Sequence, residues 1–121
     1  MKFYSRRVVK PNDLNPAHRL FGGQLLSWID EEAAIYAACQ MQHPHIVTKF
    51  ISEVNFVHGA RTGDILEFGF EVSSAGRSSL TLHCEVRNKV TLERIIWIDR
   101  IVFVSLDTTG RPVAHRYCRA A

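Results

Sequence analysis

No stretch of this chain approaches about eighteen consecutive apolar residues, so no membrane-spanning helix is expected. The opening residues, MKFYSRRVVK, alternate and carry charge. They lack the apolar run of a secretory signal, so no signal peptide is expected. Cysteine is scarce. Cys39, Cys84 and Cys118 are odd in number and widely spaced, without a CxxC pair. That argues against a disulfide framework and a zinc site, and makes a reducing cytoplasm the natural compartment. A glycine-rich phosphate loop and a GxSxG elbow are both missing, as are internal repeats and low-complexity segments. Charge of one sign is also modest: the net value is +3 with six histidines counted neutral. A mildly basic protein suits phosphorylated small molecules better than nucleic acid, and no aromatic-basic RNA motif accompanies the charge.

What is present is an ordinary globular composition, 46% hydrophobic and 22% charged over 121 residues. It fits one domain, 1–121, and leaves little room for a second. Residues 3–9 form a candidate strand. Residues 10–19 hold Pro11, Asn12, Asp13, Asn15 and Pro16 and read as an irregular loop ending at Gly22-Gly23. Residues 24–42 lack Gly and Pro and are rich in Leu, Ala, Gln and Glu, which predicts one long helix stopped by Pro44. It is apolar on several faces and should be buried on most sides. Residues 46–57 read as a strand. In 66–72 and 80–86 apolar residues alternate with polar ones, so each strand has one packed face and one outward face. Residues 95–106 are apolar on both faces, as in a central strand. The last nine residues read as a loose tail. The pattern-level answer is an α+β domain, one helix buried by a mostly antiparallel sheet.

The informative segment runs from Asn15 to Ala34. At about 100° per helical residue, Gly23 lies roughly 20° from Asp30, on the small-residue face, while Glu31 and Glu32 rotate away. Helical side chains lean toward the N-terminus, so the Asp30 carboxylate points to the Gly22-Gly23 end. Unpaired N–H groups there suit an oxyanion. A carboxylate nearby can activate water or attack an acyl carbon itself, and Asn15 can hold the water or the carbonyl. The spacing permits this without requiring it. An acid in a buried helix also pairs with arginines or caps loops, and glycines before helices serve as hinges.

The run of Asn15, Phe21-Gly22-Gly23, Leu26 and Ile29-Asp30 resembles the hot-dog-fold acyl-CoA thioesterases, specifically the brain acyl-CoA hydrolase branch and its short bacterial relatives. The likeness continues through Asn55-Phe56, Gly63-Asp64, Gly76-Arg77-Ser78-Ser79 and the strand from Leu80 to Val86. It covers roughly residues 8 to 107. The resemblance implies a hot-dog fold, one long central helix wrapped by a curved sheet of five to six strands. It implies hydrolysis of acyl-CoA to a carboxylic acid and free coenzyme A. No cofactor is needed, coenzyme A being part of the substrate, and neither nucleic acid nor membrane is an expected partner. Asp30 would be the catalytic carboxylate, Asn15 its partner from another subunit, and Gly22 and Gly23 the backbone donors. The implied basic unit is a dimer with sheets joined edge to edge, often assembled further. Two positions depart from the family pattern: His18 stands where glycine is common, and Gly59 where proline is common.

Arg77, Ser78 and Ser79 are expected near the pantetheine and phosphates of coenzyme A, guanidinium being suited to phosphate oxygens. Arg77 can equally be a solvated turn residue. Arg61 is a further phosphate candidate, as are Arg111, Arg116 and Arg119 more weakly. His43 and His45 lack nearby acids and are not expected to bind metal. His58 and His83 read as structural or surface residues, and Cys39 as a packed one. Asp99 and Arg100 are unusual within an apolar strand and suggest a pair across a subunit contact. Rival readings are an acyl-CoA-binding module, a dehydratase, or a thioesterase acting on acyl-carrier protein.

Overall fold

The computed structural model describes residues 1–118. The chain runs through strand β1 (Lys2–Val8), a 3-10 turn (Pro11–Asp13), helix α1 (Gly22–Met41), then strands β2 (Ile46–Ile51), β3 (Val54–Phe56), β4 (Ile65–Ala75), β5 (Ser79–Asn88) and β6 (Arg94–Ser105). The strands form one antiparallel sheet in the order β1-β4-β5-β6-β2, and β3 also pairs with β6. One long helix against a six-stranded antiparallel sheet is the expected hot-dog architecture.

The helix begins two residues before the predicted Gln24. Phe21 stays extended at the N-cap, and the Leu25 N–H donates to its carbonyl at 3.1 Å, so Gly22 and Gly23 are the first two helical residues. Gln42 ends the helix in the left-handed conformation, φ 51°, and Pro44 follows. Leu25, Trp28, Ile29, Ala33, Ala37 and Met41 recur at helical spacing and pack on the sheet. Facing them are the large buried side chains Phe68, Phe70, Leu82, Ile98 and Phe103. Burying one such side chain stabilises the fold by roughly 1.5–3 kcal/mol.

Several expectations need correction. The helix is buried or half-buried on most sides, but one stripe, Gly23, Ser27, Glu31, Ile35 and Cys39, is exposed: Ile35 is 61% exposed, and Cys39 is not the packed residue expected. The predicted strand 46–57 is two strands. They break at Ser52, whose N–H donates to the Arg100 carbonyl (2.9 Å) and whose hydroxyl accepts from the Arg100 N–H (3.0 Å). The first half of β4 is not half-solvated, although Glu71 is exposed as expected. Glu67 and Gly69, expected on the outward face, are buried because Met1 and Phe3 fold over them. A Cβ on Gly69 would meet Met1 Sδ at 2.8 Å and Phe3 Cδ1 at 2.9 Å. Glu67 is covered together with Arg87, 3.6 Å away, whose guanidinium lies over the Phe3 ring at 3.8 Å.

Nor are residues 113–118 a loose tail. Val113 N–H donates to the Ser105 carbonyl, Arg116 N–H to the Met41 carbonyl, and Tyr117 packs on the core. This segment ties the C-terminal end of α1 to the end of β6. β5 keeps its predicted alternation along its whole length.

Candidate active site

The start of α1 carries no side-chain cap. The N–H groups of its first three residues, Gly22, Gly23 and Gln24, precede the first intrahelical bond and, among the described residues, project unpaired from the positive end of the helix dipole. The segment before the helix is fastened from below. Phe21 N–H donates to the Asp13 carbonyl (3.0 Å), and the buried Asp13 carboxylate accepts from the Lys10 N–H and the Gln24 amide. Around Gly23 the space is open: an added Cβ would meet nothing within 4 Å. At Gly22 it would meet Phe56 Cζ at 3.3 Å. Substrate can therefore approach the backbone at Gly23, while Gly22 lies against the aromatic ring of β3.

Asn15 organises the loop before the helix. Its Oδ1 accepts from the N–H groups of Ala17 (2.9 Å) and Arg19 (3.1 Å). Among the described residues its Nδ2 makes no hydrogen bond, which leaves a donor at the loop surface. His18 adopts φ 60°. That left-handed conformation explains why glycine suits this position and shows that histidine keeps the same loop shape at some steric cost.

Asp30 is half-buried, two helical turns further on. Its Oδ1 accepts a short hydrogen bond, 2.7 Å, from Thr48 Oγ1 on β2. No arginine or lysine among the described residues pairs with it. Its acidic neighbours are engaged instead: Arg7 of β1 holds both Glu31 and Glu32 at 3.1 Å. The carboxylate is thus oriented by Thr48 and free of an ion pair among the described residues. The sequence reading missed Thr48. Its signal was faint: a polar residue two positions after Ile46 shares the strand face that meets the helix. Seven residues separate Gly23 from Asp30, about 10 Å along the axis at ~1.5 Å per residue. Within one chain the donors and the carboxylate therefore do not converge on one atom.

The remaining candidates separate into two regions. Ser78 and Ser79 sit at the end of the sheet near the helix C-terminus. The Ser78 carbonyl accepts from Ser105, and the Ser79 carbonyl bonds His115 Nε2 at 2.7 Å. Arg77 is exposed beside them. A Cβ on Gly76 would lie 2.5 Å from Ser79 Oγ, so that hydroxyl would have to turn away. Arg61 stands at the opposite end, next to Ala60, whose carbonyl accepts from Leu20 just before the helix. One chain therefore does not bring Arg61 to the Arg77-Ser78-Ser79 turn. Arg111 and Arg116 are exposed, and Arg119 lies outside the described residues. Asp99 and Arg100 are both exposed at a register shift between β5 and β6. Asp99 lies 3.9 Å from His83 Nδ1, and Arg100 lies over the Phe50 ring.

A family model, the Thioesterase superfamily, matches residues 18–94, a span that holds the helix, Asp30 and Thr48. The chain belongs to the Thioesterase superfamily. A relative in this superfamily is YkhA of Bacillus subtilis, described as an uncharacterized acyl-CoA thioester hydrolase. It is 34% identical over 112 residues, covering 87% of this chain and 62% of that protein. A protein of Haemophilus influenzae, also described as an uncharacterized acyl-CoA thioester hydrolase, is likewise covered over 62% of its length, so the chain spans about three fifths of these curated relatives. Among solved structures, the hexameric thioesterase y2039 of Yersinia pestis superposes with a TM-score of 0.88 at 26% identity, covering 97% of each chain. An acyl-CoA hydrolase of Staphylococcus aureus, solved with butyryl coenzyme A and coenzyme A, has a TM-score of 0.82 at 35% identity, covering 92% of this chain and 66% of that one. The Staphylococcus enzyme was also solved with an asparagine, an aspartate or a threonine replaced by alanine. The asparagine and aspartate are fifteen positions apart.

Proposed function

We propose that this thioesterase-superfamily protein hydrolyses acyl-CoA, converting it with water to a carboxylic acid and free coenzyme A. The observation that carries the reading is Asp30, a carboxylate held by Thr48 on a helix whose glycine start offers uncapped donors. The fifteen-residue spacing of Asn15 and Asp30, equal to that of the asparagine and aspartate replaced in the Staphylococcus enzyme, supports it further. Asp30 takes a proton from water, whose oxygen bonds the thioester carbon. Gly22 and Gly23 N–H groups hold the oxyanion, and the carbon–sulfur bond breaks to release the thiolate of coenzyme A, which then takes up a proton. Direct attack by Asp30, forming a mixed anhydride that water then opens, uses the same groups. Neither route requires a cofactor.

The separation of Gly23 from Asp30 within one chain is relieved if Asp30 meets the glycines and Asn15 of a second copy. β2 is an open sheet edge with Val47 45%, Phe50 44% and Ile51 40% exposed. An apolar edge of that kind favours pairing with another strand. Edge-to-edge dimers, assembled further as in the hexameric Yersinia thioesterase, are the proposed form. Arg77, Ser78 and Ser79 of one protomer and Arg61 of its partner are the proposed contacts to coenzyme A. The cytoplasm is the proposed compartment, and none of the described helices is long and apolar enough to cross a membrane.

The test is thiol release from a set of acyl-CoAs by the wild type and by Asp30→Ala. Loss of the base should reduce the rate by roughly 10²–10⁴-fold. A folded variant with undiminished release rejects the assignment. A wild type that binds acyl-CoA without releasing thiol rejects the hydrolase in favour of a binding module.

A further inference from the structure

Residues 113–118 form no regular element, yet they grip the turn between β4 and β5 by its carbonyls. The Arg77 carbonyl accepts from the His115 N–H (3.1 Å), the Ser78 carbonyl from the Ser105 N–H (2.9 Å), and the Ser79 carbonyl from His115 Nε2 (2.7 Å). Tyr117 N–H donates to the other ring nitrogen, His115 Nδ1, at 3.1 Å. These partners require Nε2 to donate and Nδ1 to accept. We propose that His115 is a positioning residue for the substrate, holding the Arg77-Ser78-Ser79 turn in the shape that takes up coenzyme A. The inference rests on the proposed hydrolysis and on the proposed contacts of that turn, and adds what keeps the turn in place.

The turn has little hold of its own. Gly76 N–H bonds the Ser79 carbonyl (3.0 Å), which closes the hairpin without restraining Arg77 or Ser78. With their carbonyls drawn to residues 105 and 115, the N–H groups of Arg77 and Ser78 make no hydrogen bond among the described residues, and the Arg77 side chain is exposed. Donors are thereby left for a ligand's amide or phosphate oxygens. The strap can bear on the turn because it is fastened on both sides of His115. Before it, Val113 N–H donates to the Ser105 carbonyl (2.9 Å), and the Val113 carbonyl accepts from the buried Ser105 hydroxyl (2.6 Å). After it, Arg116 N–H donates to the Met41 carbonyl (2.9 Å) at the end of α1, and Tyr117 packs on the core. A ring mounted between two fixed points limits how far the turn can shift, and a turn already in place binds without first being ordered.

The two ring nitrogens can be replaced separately. The amide nitrogen of glutamine reaches about as far as Nε2 and can donate to Ser79, while the amide oxygen of asparagine stands about where Nδ1 does and can accept from Tyr117. KM and kcat are measured for an acyl-CoA and for the N-acetylcysteamine thioester of the same acid, which lacks the phosphates. The proteins are wild type, His115→Ala, His115→Asn, His115→Gln and Arg77→Ala, each checked by thermal denaturation. KM for acyl-CoA should rise roughly 3- to 10-fold in His115→Ala and His115→Asn, the contribution of one hydrogen bond. kcat should stay within about twofold, as for a loss of binding alone. KM for the short thioester should not move, and His115→Gln should match wild type. The asparagine and glutamine variants each keep one bond and carry the test if alanine does not fold. An unchanged KM in the His115 variants while Arg77→Ala raises it overturns the positioning role and leaves the contacts standing. A defect in glutamine but not in asparagine, or equal losses on both substrates, confines His115 to the shape of the strap and also overturns it. KM unmoved by Arg77→Ala and by every His115 variant rejects the turn as a contact for coenzyme A. Absence of thiol release from wild type rejects hydrolysis, and this inference falls with either.

Discussion

Replacing Thr48 by valine removes one hydroxyl and keeps the shape of the side chain, so it isolates the 2.7 Å bond to Asp30. A hydrogen bond to a charged group contributes about 1.5–3 kcal/mol where it is shielded from water. Here Thr48 is exposed and Asp30 half-buried, so water replaces part of the lost bond, and the stability change should stay below about 1 kcal/mol. The rate should fall much further. Freed from Thr48, the carboxylate samples other rotamers, and a misplacement of about 1 Å can cost 10²-fold, so kcat should drop by roughly 10- to 100-fold. The decisive assay is a double-mutant cycle of thiol release with Asp30→Ala. If Thr48 acts by orienting Asp30, valine has no further effect once the carboxylate is gone. If the two losses multiply, Thr48 works independently of Asp30 and the orienting role is refuted. Wild-type kcat in Thr48→Val would refute it more simply.

Two other perturbations probe the loop and the helix face. His18 holds φ 60°, so His18→Gly should leave stability within about 1 kcal/mol of wild type. His18→Val should cost about 1–2 kcal/mol in chemical denaturation, because a β-branched residue resists the left-handed region; a neutral valine would contradict the loop geometry. Burial, with Tyr4 next to it, raises the Tyr36 hydroxyl from 10.0 to about 12. The folded state therefore favours the protonated phenol. Its contribution to stability is complete below pH 10 and is lost as pH rises toward 12. Denaturation midpoints of Tyr36→Phe should decline less steeply than wild type over that window, and parallel curves would refute the assignment.

The long helix, the alternating strand β5 and the two-faced strand β6 were legible in the residue order, because each is a periodicity of neighbours along the chain. The helix start misled by two residues. Glycine weakens a helix interior but is tolerated in the first turn, where it leaves the N–H groups open to a ligand. Glu67 was misread because period two says which residues share a face, not what covers that face. Only the return of Met1, Phe3 and Arg87 over β4 buries it. The tail carries no periodicity that marks an element, and its backbone bonds to Ser105 and Met41 are contacts that no local pattern encodes.

The site divides in the same way. Asn15, Gly22, Gly23 and Asp30 stand within one short segment, so their order and helical phase were available before any folding. Thr48 stands eighteen positions beyond Asp30 and meets it because β2 runs beside α1. A cavity of about 230 Å³ next to Gly22 likewise draws its walls from distant segments: the pre-helix loop, α1, β3, the β3–β4 connection and β6. Hydrophobic periodicity, read along the chain, specifies which elements form and how they face the core. Which groups then meet at a distance depends on how those elements pack, so the Thr48 partner of the carboxylate was decided by the tertiary fold.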